Sequence, residues 1–498
     1  PVETPLGRKR RINPTSCNVD LSCLKGFCPS FVTADGPPRT TTPNQTWLAS
    51  ETELGSRLAE PQIRNDLSWR ALFAGIGGGG IVTTSAIVAM AAQLDGLQVS
   101  TLNFTGLAQK NGAVVSHVQI GEPGQLDVVR IPLGTADLVF AADLAIACSR
   151  DVLDRCRPGG AVIGNLDLAA TAAFKYDPWL KIDAGLHRRT IERATDPGRS
   201  LYLHAAIIAE RLFGDAQVMN TMLLGLAWQR GLVPVSRNSL MRAIELNGAS
   251  VPVNRRAFEW GRILAANPDL IERMVEDTSA RHMPADLNAL IEDRCGRLVL
   301  YQDRAYADLY RNRVNRIVAC ETGLFGRPGR LSRAAAEGWF RVMAPKDEYE
   351  VARLHASADY SGTRRPVFHL APPLLSGRDA ATGRRRKRAI PGWLALPLFR
   401  LLRHGKLLRG TPLDPFALQD DRRAERAMLK AYAEDMDAVL AVLDPDKLDA
   451  AIALAEVPDK VRGFGPVKLE NWRRAQDKRQ ALLRSFQEKA PKLPIAAE

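Results

Sequence analysis

Three cysteines, Cys17, Cys23 and Cys28, crowd into the stretch CNVDLSCLKGFCPSF (17–31) of a 498-residue sequence that has seven cysteines in all. Thiolates are soft ligands, and three of them in one loop suggest metal or cluster binding. The spacing is C-x5-C-x4-C, with Gly26 in the loop and Pro29 directly after Cys28. Zinc knuckles and ribbons use paired C-x2–4-C ligands, which this stretch lacks. Iron–sulfur clusters take four ligands, and bacterial cluster-binding runs end in Cys-Pro. The three thiolates could wrap a cubane if a further ligand comes from elsewhere. On residue types alone, zinc and plain structural thiols stay open as alternatives. Cys148, Cys156, Cys295 and Cys320 stand singly in apolar or helical contexts and are expected to be ordinary buried thiols. An odd count spread this way is no disulfide framework.

The second motif is GIGGGG (75–80), where Gly75, Gly77 and Gly80 match a G-x-G-x-x-G spacing between an apolar strand and a helix. Backbone N–H groups at such a helix N-terminus can hold phosphate. A dehydrogenase places Asp or Glu at the end of the next strand, whereas here LQVSTLNF ends in Asn103 and Phe104, which disfavours ordinary NAD binding. A phosphate-bearing ligand of another kind and a close-packed turn without a ligand both remain. The loop TGLAQKNGAVVSH (105–117) brings Gln109, Lys110 and Asn111 toward a strand holding Ser116 and His117. A lone histidine in a strand is more often a hydrogen-bonded structural residue. No Ser/His/Asp, paired-carboxylate or HExxH arrangement is present in the sequence, so nothing in it looks like a self-sufficient catalytic centre.

The elements that position these motifs follow from hydrophobic pattern. WRALFAGIGGGGIVTTSAIVAMAAQLD (69–95) predicts strand, glycine turn and a helix of small residues. LQVSTLNF (97–104), AVVSHVQI (113–120), ADLVFAAD (136–143) and GAVIGNLDL (160–168) predict further strands, with helix over 145–157. Helices are expected near 201–213, 219–231, 237–247 and 254–265. Strands alternating with helices imply an α/β unit with a mainly parallel sheet. Residues 37–66, rich in Pro, Thr and polar side chains, predict a linker, and beyond Asn267 amphipathic Leu/Ala/Arg-rich helix dominates. The four expected segments are therefore 1–36, 37–66, 67–265 and 266–498.

Composition is that of a globular protein, with 46% hydrophobic and 25% charged residues and no apolar run of membrane-spanning length. No signal core is present in PVETPLGRKRRINP, which points to a cytoplasmic protein, and an opening on Pro1 suggests a fragment or processed subunit. The net charge of +13 raises nucleic-acid binding. Arg8–Arg11 and Arg384–Arg388 are short clusters without a recognition motif, so a basic surface, suited to an acidic protein partner, is the better reading.

GRKRRINPTSCNVDLSCLKGFCPSFV, ALFAGIGGGGIVTTSAIVAMAA, TGLAQKNGAVVSHVQIG, AIELNGASVPVNRRAFEWGR, KDEYEVARL, HLAPPLL, LLRGTPLDPF and VRGFGPVKLE occur in that order. Together they resemble the C-terminal portion of the fused indolepyruvate ferredoxin oxidoreductase family, within the thiamine-diphosphate-dependent 2-oxoacid:ferredoxin oxidoreductases. The resemblance implies a ferredoxin-like iron–sulfur segment over 1–36, a Rossmann-like gamma domain over 67–265 and a mostly α-helical domain over 266–498. It implies oxidative decarboxylation of an arylpyruvate or related 2-oxoacid to an acyl-CoA, with electrons leaving through iron–sulfur clusters to ferredoxin. Cys17, Cys23 and Cys28 then hold a [4Fe-4S] cluster whose remaining ligand lies upstream. Coenzyme A is the implied co-substrate, and the phosphate argument made above for the glycine turn and the polar loop places its expected contacts at Gly75, Gly77, Gly78, Gly80, Gln109 and Lys110. Thiamine diphosphate and Mg belong to upstream domains or another subunit. The implied partners are ferredoxin, those thiamine domains and a second copy in a homo-oligomer, with neither nucleic acid nor membrane. The rival readings are a non-redox coenzyme A- or nucleotide-binding module with a helical scaffold, and a nucleic-acid-binding scaffold.

Overall fold

The computed structural model describes residues 4–6, 9, 21–25, 31–35, 45–63, 68–106, 112–122, 124, 126, 128–168, 183–279, 284, 286–360, 363–371, 376–377 and 386–487. Two compact units result, one of Pro1–Val19 with Arg39–His282 and one of Asp20–Pro38 with Met283–Glu498. The strands described are β1 (Phe31–Asp35), β2 (Ser68–Ile76), β3 (Gln98–Thr105), β4 (Ala113–Gly121), β5 (Ala136–Ala141), β6 (Cys156–Asn165), β7 (Leu201–Leu203), β8 (Arg364–Leu370) and β9 (Arg388–Pro391).

The first unit is built on a six-stranded sheet of order β3-β4-β2-β5-β6-β7. β2, β5, β6 and β7 pair in parallel, whereas β4 runs antiparallel to both β2 and β3. Five strands therefore share one direction and the sheet is mainly parallel. β2 is covered on both sides, which is why its run SWRALFAGI lacks polar alternation. Phe73, Phe140, Val118 and Ile163 face one core. Leu72, Ala74, Val139 and Ala141 face the other, with Leu144, Val152 and Ile191. The alternation follows the two-residue period of a strand.

Several details differ from expectation. Residues 201–203 form the edge strand β7, and the helix expected there begins at Ala205. Within 37–66, residues 45–56 form two short helices, and Trp47, Leu48 and Leu54 pack on the core of the unit. The helix Pro268–Ser279 packs with this unit as well, through Leu270, Ile271 and Met274.

The helices Met219–Gln229 and Val251–Ala266 cross at unusually close range. A Cβ at Gly225 would run into the Phe258 carbonyl oxygen, and one at Gly261 into that of Met222. Glycine in a helix interior costs roughly 0.5–1 kcal/mol relative to alanine, so both positions trade helix propensity for backbone approach.

The second unit is mostly helical. The helices Leu287–Tyr301, Arg304–Phe325, Arg330–Met343, Asp420–Val442 and Leu448–Ala455 enclose its main core around Tyr310, Trp339 and Tyr432. A small sheet of order β1-β8-β9, absent from the sequence reading, completes the unit. Phe31 pairs with His369 in antiparallel register, and Thr33 Oγ1 lies 2.9 Å from His369 Nε2. Two of the sequence motifs interlock here. From LLRGTPLDPF, Arg409 Nε donates to Asp347 Oδ2 at 2.6 Å and its guanidinium lies 3.8 Å from the Tyr301 ring centre. From KDEYEVARL, Asp347 also caps the helix Glu348–Ser357 by accepting from Glu350 N, and Tyr349 donates its hydroxyl to Asp414 at 2.9 Å.

Gly261→Ala tests the helix crossing. Overpacking of this kind costs about 1–3 kcal/mol, which in a unit of this size lowers Tm by about 2–4 °C per kcal/mol in thermal unfolding. An unchanged Tm would show that the backbones need not approach so closely.

Candidate functional site

The glycine turn lies at the C-terminal end of β2 and opens the helix Ile81–Leu94. Strand connections leave β2 toward β3 and leave β5 toward β6, so the crevice beyond the β2 and β5 ends is the switch point of the sheet. Ligands of open α/β sheets bind at such a point. Gly75 is there for packing, because a Cβ would stand 2.5 Å from Ile81 Cγ1 and 3.4 Å from Ala142 Cβ. Gly78 and Gly80 adopt φ of 80° and 83°, the left-handed region that favours glycine.

Two of the turn's N–H groups are committed internally. Gly77 N donates to Gly112 O at 2.8 Å and Gly79 N donates to Ile76 O at 3.0 Å. The helix makes its first backbone hydrogen bond from Thr84 N to Gly80 O, so the N–H groups of Ile81, Val82 and Thr83 precede the intrahelical ladder. Gly80 supplies no side-chain cap and the first turn has no acidic residue. An N-terminus of this kind is suited to an anion.

Asn220, at the start of the helix Met219–Gln229, donates Nδ2 to Gly79 O at 2.6 Å. The residue is buried, and its Oδ1 has no hydrogen-bond partner among the described residues. Along the same edge of the sheet, Asn165 at the end of β6 donates Nδ2 to Ala142 O at 3.2 Å and accepts from Ala205 N at 3.1 Å. Asp167 accepts from Ile207 N at 3.0 Å and holds His204 Nδ1 at 2.7 Å. Asp143, just beyond β5, accepts from Ala145 N at 2.9 Å and Ile146 N at 3.2 Å. The carboxamide and the two carboxylates thus satisfy backbone N–H groups at the N-termini of the helices that follow β5 and β7, and Asn165 also holds the Ala142 carbonyl just beyond β5.

These polar residues were missed in the sequence. A usable signal existed for Asp143, Asn165 and Asp167, each a polar residue directly after an apolar strand run. Asn220 and His204 carried no comparable mark. His117, by contrast, is a structural residue. It is buried, its Nδ1 accepts from Ile131 N at 3.2 Å and its ring meets Phe104 edge-on. Burial, aided by the Arg155 charge, lowers its pKa to about 4, so it is neutral at physiological pH. Gln109 and Lys110 lie outside the described residues, so the site is described by Gly75, Gly77, Gly78 and Gly80 without them.

Of the cysteine set, Cys17 and Cys28 also lie outside the described residues. Cys23 belongs to the short 3-10 helix Ser22–Lys25 and is exposed, which fits a thiol available as a ligand. Among the described residues no group of three or more His, Cys, Asp or Glu side chains is placed to hold a metal ion. The isolated cysteines behave differently. Cys148 Sγ donates to His187 O at 3.1 Å and burial raises its pKa to about 11. Burial raises Cys156 to about 12, with its thiol on Val152 O. Among the described residues no helix is long and apolar enough to cross a membrane.

Residues 70–263 match the family described as pyruvate ferredoxin/flavodoxin oxidoreductase, and residues 287–481 match a family of unknown function, DUF6537. The chain is similar to the indolepyruvate oxidoreductase subunit IorB of Archaeoglobus fulgidus, with 44% identity over 73 residues. That match spans 15% of this chain and 35% of the relative. The subunit of the same name from Methanothermobacter thermautotrophicus is 29% identical over 203 residues, 39% of this chain and 96% of the relative. Among solved structures, pyruvate oxidoreductase subunit PORC from Thermotoga maritima is 17% identical, with a TM-score of 0.29, covering 40% of this chain and 96% of that one. The resemblance read from the sequence is borne out for the α/β segment, where residues 70–263 match the pyruvate ferredoxin/flavodoxin oxidoreductase family and the relatives are named indolepyruvate oxidoreductase subunits.

The hydrogen bond to Asp167 raises the His204 pKa, with burial opposing. A raised value means that His204 contributes stability below its unfolded pKa of about 6.5 and that this contribution is lost as pH rises through the folded value. In Asp167→Asn, a histidine NMR titration should show the His204 pKa falling toward the ordinary range. A value that stays raised would remove Asp167 as the cause.

Proposed function

We propose that this chain is the iron–sulfur and gamma-domain part of a thiamine-diphosphate-dependent 2-oxoacid:ferredoxin oxidoreductase acting on indolepyruvate or a related arylpyruvate. The observation that carries the reading is the pyruvate ferredoxin/flavodoxin oxidoreductase domain at residues 70–263, whose sheet presents an uncapped helix N-terminus at its switch point. The similarity to subunits named indolepyruvate oxidoreductase points to the substrate class.

In this reading the 2-oxoacid and coenzyme A give an acyl-CoA, carbon dioxide and a proton, and two electrons reduce two molecules of ferredoxin. Thiamine diphosphate with Mg, which stabilises the carbanion left by decarboxylation, is held by other domains or another subunit. The residues of this chain have two tasks. Cys17, Cys23 and Cys28 supply thiolates to a [4Fe-4S] cluster that also draws a ligand from outside this set. The N–H groups that open the helix Ile81–Leu94 hold a phosphate of coenzyme A, and Gln109 and Lys110 are the further contacts expected from the sequence. The enzyme works in the cytoplasm as a homo-oligomer joined to its thiamine-binding domains.

Anaerobic reconstitution of the enzyme containing this chain tests the cysteine assignment. Cys23→Ser should lower bound iron and abolish 2-oxoacid-dependent ferredoxin reduction while carbon dioxide exchange persists. Unaltered iron content and ferredoxin reduction would remove Cys23 from the ligand set.

Gly78 tests the phosphate site. Asn tolerates the left-handed backbone, so Gly78→Asn controls for strain and Gly78→Asp adds a negative charge at the same place. The KM for coenzyme A should rise severalfold in the Asp variant over the Asn variant. Equal KM values would mean that the turn is only a packing device.

A further inference from the structure

Residues 386–413 of the second unit contain seven Lys or Arg and no Asp or Glu. They include the helix Gly392–Leu402, which buries Ala395 and Phe399 against Ala352 and Phe368. Its other face carries Trp393, Leu394, Leu398 and Leu401, all exposed, with Trp393 at 77% and Leu401 at 73%. At 100° per residue these four side chains span about 140° of the helix, a full second apolar stripe. Leu407 on the following 3-10 turn and Leu413 in the loop beyond extend the same exposed chemistry. Single exposed leucines are ordinary, but a run of this density marks an interaction site.

The charges around it say what kind of partner fits. Among the described residues, Arg388 in β9, Arg400 on the helix and Arg403 directly after it are exposed and pair with no carboxylate. Arg409 is instead held by Asp347 and braces the turn from below. An apolar centre ringed by unpaired guanidinium groups is complementary to an apolar patch ringed by carboxylates. A second copy fits poorly, because a two-fold interface would set these cations against their own images. A lipid surface fits poorly too, since a helix lying in the bilayer boundary presents one stripe, whereas here apolar side chains leave from helix, turn and loop.

We infer that the face formed by Trp393, Leu394, Leu398 and Leu401, with Arg388 and Arg400, docks a small acidic protein. On the function proposed above, that protein is the electron acceptor. The inference rests on that reading for the partner's role but not for its chemistry.

The test uses ferredoxin as the acidic probe and the enzyme containing this chain. Two surface variants, Arg388→Glu with Arg400→Glu, and Trp393→Ser with Leu401→Ser, change exposed residues and should leave Tm unchanged. Each should raise the KM for ferredoxin about tenfold or more, equivalent to about 1.4 kcal/mol of docking. Reduction of methyl viologen, which needs no docking surface, should be unaltered. The Kd for ferredoxin titrated onto the chain should weaken by the same factor and lose much of its salt dependence in the charge variant. Unchanged KM and Kd in both variants overturn the docking surface while leaving the proposed reaction intact. If no 2-oxoacid drives reduction of either acceptor, the proposed reaction fails and the binding titration alone decides the surface. Capture by phosphatidylglycerol vesicles, or a dimer that the same substitutions dissociate, in place of ferredoxin binding also overturns it.

Discussion

The crossing of the helices Met219–Gln229 and Val251–Ala266 sets the geometry of the first unit's site. Without side chains at Gly225 and Gly261, the two backbones come into contact, and the first helix is pinned over the sheet. Asn220 stands five residues before Gly225 on that helix, and its amide reaches the Gly79 carbonyl. The glycine turn is thereby held from the helix side by Asn220 and from the sheet side by the bond of Gly77 N to Gly112 O. Rigid placement of backbone donors is what makes a helix N-terminus selective for an anion of fixed shape, since the donors need no rearrangement when it arrives.

The second unit is organised by charge instead. Asp347 and Arg409 are both largely buried, and each also satisfies backbone groups, Glu350 N for the carboxylate and Tyr301 O for the guanidinium. A buried pair of this kind contributes little net stability compared with an apolar replacement, yet loss of one partner strands the other. Its value lies in uniqueness of packing. It fixes the turn over 403–409, and through that turn the orientation of the exposed helix before it.

Much of the first unit was legible because burial on both faces of a sheet writes itself as apolar runs, and β2, β5 and β6 read as such. The direction of β4 was not legible from its own residues, since AVVSHVQI is equally apolar in either sense. The clue was outside the strand: the seven residues between Thr105 and Ala113 are too few for a crossover and suit a hairpin. β7 was lost because three residues beside a helix carry no period of their own. β1, β8 and β9 were hidden for a related reason: β1 and β9 are short edge strands, and the central strand β8 carries Pro366 within its run. At the site, the glycine motif announced the turn, whereas Asn220 joins it from 141 positions away. Only the folded chain makes that contact.

β1 follows the cysteine stretch directly, and its pairing partner β8 lies far along the chain, Thr33 and His369 being 336 positions apart. Such a pairing has high contact order and closes late. On the ribosome, where chains grow at about 5–20 residues per second, the thiols emerge well before the strand that anchors their segment exists. The cysteine region is thus made well before the pairing that secures it, an interval in which an assembly factor could reach it and a stray oxidant could too.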